Sequence, residues 1–98
     1  MGIDFLDLEI RVQKAFAIEF PRPHLYQTRE QYSQGQFPTH APTVAELHDN
    51  LREFLDAHRL PVPPDSWERL QRCIAQTLAI PPQSIRPDHH LKEDLGAT

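Results

Sequence analysis

The sequence predicts an all-α fold, a small bundle of three main helices in a single domain spanning residues 1–98. Three observations predict it. Apolar residues recur at steps of three and four in three separate segments. Prolines fall between those segments and not inside them. No stretch alternates apolar and polar residues for long enough to make a strand.

The first helix is expected over about residues 4–18. Phe5, Leu8, Val12 and Phe16 form its stripe, with Leu6 and Ile10 widening it, and Asp4 and Asp7 complement the dipole in its first turn. Pro21 and Pro23 close this segment. The second helix is expected over residues 43–58, with a stripe of Val44, Leu47, Leu51, Phe54 and Leu55. Thr43 and Glu46 have capping-box spacing, the best-marked helix start in the chain. Pro61, Pro63 and Pro64 then make a stiff connector. The third helix, over residues 66–79, carries Trp67, Leu70, Ile74 and Leu78, and Asp65 with Glu68 offers a second capping box. Pro81, Pro82 and Pro87 mark a closing loop over residues 80–98.

Residues 22–42 form a polar insert that leaves room for a short helix over 27–33. It carries Tyr26, Tyr32 and Phe37 without a clean period. A structureless connection this long is uncommon in a small domain, so these aromatics are expected to pin it to the bundle.

Composition bounds the function. At 98 residues a folded chain buries roughly 60–70% of its unfolded surface, enough for one core without metals or disulfides. The net charge of −4 opposes a nucleic-acid binder, which needs a basic face. No run approaches the roughly 20 apolar residues that cross a bilayer, and no leader is visible, so a cytoplasmic protein without membrane contact is expected. Cys73 is the only cysteine, which excludes an internal disulfide and a cysteine zinc cage; it is expected to pack. Of the six histidines, His24, His40, His48, His58, His89 and His90, only the last two are adjacent, and no helix-spaced ligand pair occurs. No metal is expected. Ser33, Ser66 and Ser84 lie in no nucleophile motif, Ser66 reading as a helix-start residue, and no glycine-rich phosphate loop exists. No catalytic residue is expected, and the chain reads as a non-enzyme.

Two segments resemble one family. Residues 68–98 read ERLQRCIAQTLAIPPQSIRPDHHLKEDLGAT. This resembles the front half of an acyl carrier protein: a first helix, a long loop with apolar residues tucked under it (here Ile80, Ile85 and Leu91), then Asp94-Leu95-Gly96. Residues 2–21 resemble the family's second helix and its exit, with Phe16, Ile18, Glu19, Phe20 and Pro21 matching Phe-x-x-Glu-Ile-Pro. Residues 43–58 are similar to its last helix. The resemblance covers about two thirds of the chain and implies a circularly permuted order: second helix, last helix, first helix, loop. Residues 59–66 span up to about 25 Å when extended, enough to close the ring.

The permutation breaks the family's Asp-Ser-Leu motif, whose serine carries 4′-phosphopantetheine. Met1 aligns with the aspartate, as does Thr98 at the other end, while Gly2 takes the serine's place and Ile3 the leucine's. Glycine has no hydroxyl, so the resemblance implies a carrier-like module without the cofactor. Trimming of Met1 would leave the Gly2 amine there, and Met-Gly also opens a myristoylation signal, but Leu6 stands where that signal needs Ser or Thr.

The resemblance further implies that Asp4, Asp7, Glu9, Glu19 and Asp94 form an acidic partner-binding face, interrupted by Arg11 and Lys14. Ordinary solvated charge explains these residues equally well. The expected function is a docking or regulatory partner of acyl- or peptidyl-transfer enzymes or of a true carrier in lipid or polyketide-like metabolism. Two alternatives stand beside it. One is a homodimer assembled by swapping residues 67–98. The other is a genuine carrier loaded at another residue.

Overall fold

The computed structural model describes residues 3–19, 26, 34 and 42–97. Among the described residues three α-helices run in chain order: α1 (Ile3–Phe16), α2 (Val44–Ala57) and α3 (Ser66–Leu78), followed by a 3₁₀ turn at Pro82–Ser84. Among the described residues there is no strand, only an antiparallel bridge between Thr43 and His90. The short helix over 27–33, Tyr32 and Phe37 lie outside the described residues, as do Met1, Gly2, Phe20, Pro21 and Thr98.

Packing follows the apolar stripes. Val44, Leu47, Leu51, Phe54 and Leu55 are all buried, and so are Phe5, Leu8, Val12 and Phe16. From α3 come Leu70, Ile74, Cys73 and Ala75, with Trp67 and Leu78 half-buried against them. The principal helix pair is α1 with α3. Burying a full Leu or Phe side chain stabilises by about 1.5–3 kcal/mol, so these stripes are the main cohesive element.

Two expectations for α1 are corrected. Leu6 and Ile10 do not widen the buried stripe; they are 39% and 41% exposed. Glu9 is buried instead, at 4% exposure. At 3.6 residues per turn Glu9 sits about 40° from Phe5 around the helix, whereas Leu6 sits about 100° away and Ile10 about 140°. Geometry thus overrides residue type. Glu9 shares its surroundings with Tyr26, itself buried, whose ring meets Phe5 edge-on at 5.3 Å and whose hydroxyl donates to the Phe5 carbonyl. The insert is therefore pinned to α1 at Tyr26.

The helix starts are stabilised in different ways. Thr43 accepts from the Glu46 N–H at 3.1 Å while the Glu46 carboxylate accepts from the Thr43 N–H at 3.2 Å, completing the capping box. At α3 the expected box is absent: Asp65 is the N-cap residue but makes no side-chain cap bond. Its carboxylate turns to Arg69 at 3.0 Å and Arg72 at 3.9 Å, charged partners that a neutral N–H does not outcompete.

The helix ends share one solution. Ala17, Arg59 and Ala79 adopt left-handed backbone at φ 53°, 56° and 56°. The following N–H then reaches back five residues, Ile18 to Gln13, Leu60 to Leu55 and Ile80 to Ala75, at 2.8–3.1 Å. Ile18 and Ile80 pack onto the core after this reversal; Leu60 stays 38% exposed.

The closing loop is held from two sides. The Gln71 side-chain amide donates to the carbonyls of Pro82 (2.7 Å) and Ile85 (3.1 Å). Across the molecule, the α2 start donates into the loop, Val44 N–H to His89 and Ala45 N–H to Pro87, both at 2.9 Å. Leu91 N–H returns a bond to Pro42 at 3.2 Å. Ile85 is 3% exposed and Leu91 fully buried, so the loop is anchored by side chains as well as backbone.

Candidate functional site

The residues expected to form an acidic face are arranged unequally. Asp4 is half-buried in the first turn of α1, and Glu19 is exposed just beyond that helix. Asp7 is bound to Arg11 one turn on, at 2.8 Å, and the Arg11 guanidinium holds its carboxyl below the usual carboxylate range. This pair cancels locally, so Arg11 does not so much interrupt an acidic face as neutralise Asp7. Glu9 is buried and unavailable to a partner, because position 9 falls inside the apolar stripe. Asp94 is exposed but occupied: its carboxylate accepts from the His90 N–H at 2.7 Å and lies 3.2 Å from the His90 ring, contacts that lower its pKa. Gly2 lies outside the described residues, and with it the distance from Asp94-Leu95-Gly96 to the permuted motif.

What α1 presents instead is an apolar strip between scattered charges. Leu6 and Ile10 are exposed one turn apart, and an open groove of about 580 Å³ continues along Ile10, Gln13, Lys14, Ala17, Ile18 and Glu19. The steps from Phe5 to Phe16 contain the signal for this strip, since residues 6 and 10 fall off the stripe once Glu9 is placed on it. A second groove, about 400 Å³, lies between α1 and α3. There Arg69 donates to the Ala15 carbonyl at 3.3 Å and stands 5.9 Å over the Phe16 ring, closing the C-terminal end of α1. Cys73 lines the same groove, buried, with its thiol pushed up by desolvation.

One pairing escaped sequence spacing altogether. His48 on α2 places Nε2 2.9 Å from the hydroxyl of Ser66, the first residue of α3, and its ring meets Trp67 edge-on at 5.5 Å. Burial lowers the His48 pKa, and the Arg52 cation lowers it further, against Asp49 and Glu68. A serine next to a neutral imidazole has the outline of a nucleophile and base. Ser66 is only 6% exposed, however, which removes its oxygen from any substrate and makes the contact a junction between helices.

His89 accepts the Arg86 N–H at 3.2 Å, a local turn contact. Among the described residues no group of three or more His, Cys, Asp or Glu side chains converges on a metal position. No described helix is long and apolar enough to cross a membrane. Set against protein-family models, curated proteins and solved structures, the chain matches none of them.

Proposed function

We propose that this chain is an acyl-carrier-protein-like, non-enzymatic interaction module that carries no 4′-phosphopantetheine and docks to, or regulates, acyl- or peptidyl-transfer enzymes or a true carrier. The observation that supports this most is the loop after α3. Ile85 and Leu91 are buried beneath a segment that ends in Asp94-Leu95-Gly96, the arrangement the resemblance implies for a carrier's first loop. Leu91 is tied to the start of α2 through Pro42, so the loop and the helix resembling the family's last are fastened to one another.

In this reading the partner meets α1, the helix resembling the family's second. Leu6 and Ile10 supply the apolar contact, with Asp4 and Glu19 toward the two ends. Such a contact is small and suits a transient complex.

Intact-mass measurement of the protein after co-expression with a phosphopantetheinyl transferase tests the missing arm; an unmodified chain is expected. A pantetheine-sized addition would overturn the reading and identify the loaded residue. Calorimetric titration with a carrier-recognising acyltransferase tests docking, which Leu6→Ala with Ile10→Ala should weaken. A tight, concentration-dependent dimer by sedimentation would favour assembly by swapping residues 67–98 instead.

A further inference from the structure

The connector between α2 and α3 carries a feature that the carrier-like reading does not use. Residues 60–64 read Leu-Pro-Val-Pro-Pro. Proline fixes its own φ near −65° and drives the residue before it to extended or polyproline II backbone. Leu60, Val62 and Pro63 each precede a proline, and Pro61 and Pro63 are prolines themselves. The whole run 60–63 is thereby biased to polyproline II by covalent geometry alone.

Its side chains are displayed. Leu60 and Val62 are 38% and 41% exposed, two of the four large apolar side chains left at the described surface. Pro61 and Pro64 are exposed and Pro63 half-buried. The contrast with the other helix exits is informative. Ile18 and Ile80 occupy the position equivalent to Leu60 and pack onto the core, so the backbone reversal does not itself expose this residue.

Both ends of the connector are fixed. Leu60 N–H donates to Leu55 at 2.8 Å, and the Pro63 carbonyl accepts from Ser66 N–H at 3.1 Å as the chain turns into α3. A segment held this way loses little conformational entropy on binding.

We propose that residues 60–64 are a docking peptide for a protein domain that takes polyproline II segments into an aromatic-lined groove. A polyproline II helix has three residues per turn and about 3.1 Å rise, so Leu60 aligns with Pro63, and Pro61 with Pro64, about 9 Å apart along two adjacent edges. Leu60-Pro61 and Pro63-Pro64 therefore form the two apolar-proline units that such a groove accepts, with Val62 on the third edge. Arg59, exposed, places a cationic group before the first unit, which fits a groove with an acidic rim at that end.

The test titrates the full-length protein, labelled with ¹⁵N, against a panel of SH3 and WW domains up to about 1 mM, the limit of weak specific binding. Shifts confined to residues 58–65 and to the groove aromatics of a panel member are expected. Leu60→Ala and Pro61→Ala should each weaken binding about tenfold. Val62→Ser, on the outward edge, should leave it unchanged, and unaltered spectra outside 58–65 show that the variants fold. Leu6→Ala with Ile10→Ala should also leave it unchanged, which separates this surface from the one on α1. Silence across the panel, or binding that survives Pro61→Ala, would overturn the proposal.

Discussion

His48 and Ser66, eighteen residues apart in sequence, meet at 2.9 Å and join the second turn of α2 to the first residue of α3. Burial, and after it the nearby Arg52 cation, lowers the pKa of the imidazole. Its folded pKa lies below the ordinary 6.5, so the unfolded chain binds the proton more readily. The stability this neutral histidine contributes is complete above about pH 6.5 and declines as pH falls through the folded pKa. His48→Gln, which keeps a hydrogen-bonding group near Ser66, should flatten the fall in melting temperature between about pH 7 and pH 5. An unchanged slope in parallel thermal melts would show that the histidine does not titrate in this way.

Ala79 sits in left-handed backbone at φ 56° where glycine bears no steric cost. Ala79→Gly should stabilise the chain by about 1 kcal/mol in urea unfolding, and Ala17→Gly should act in the same direction.

Gly96 supplies the converse case. Its φ is +75°, and a Cβ built there meets nothing within 4 Å. Gly96→Ala should still cost about 1 kcal/mol, through backbone strain alone. A neutral result by chemical denaturation would mean that the turn after Asp94 relaxes to another geometry.

Leu91 is fully buried and its N–H is bound to Pro42. Leu91→Ala should destabilise by about 2–5 kcal/mol, because a cavity opens where the loop meets α2. Leu6→Ala should change stability by less than about 0.5 kcal/mol, since that side chain is already largely in water. Equal losses from the two variants would contradict the burial pattern.

Tyr26 donates its hydroxyl to the Phe5 carbonyl from a site 3% exposed. Tyr26→Phe should cost about 0.5–1.5 kcal/mol, the net worth of one hydrogen bond, because the Phe5 carbonyl keeps its partner within α1 and the ring contact with Phe5 is preserved. Calorimetric unfolding reads the loss directly.

Much of the fold is legible in local chemistry. The stripe from Val44 to Leu55 and the Thr43–Glu46 box specify α2 without tertiary help, because helix periodicity and capping act within a few residues. The prolines likewise set helix limits through their own covalent geometry. The candidate site was less legible. The resemblance places Glu9 on an acidic face, yet its angular position carries it inward toward Tyr26. Apolarity alone adds Leu6 and Ile10 to the core stripe, yet they remain exposed.

Local chemistry set the three helices of the described residues, their buried stripes and the proline-rich connector, since each depends on neighbours three or four residues away or on proline's ring. Tertiary packing alone decided that His48 finds Ser66 and that the loop through Leu91 closes against α2. Those outcomes depend on which surfaces approach across the bundle. Hydrogen bonds and ion pairs are then chosen among partners that sequence separation does not bring into view.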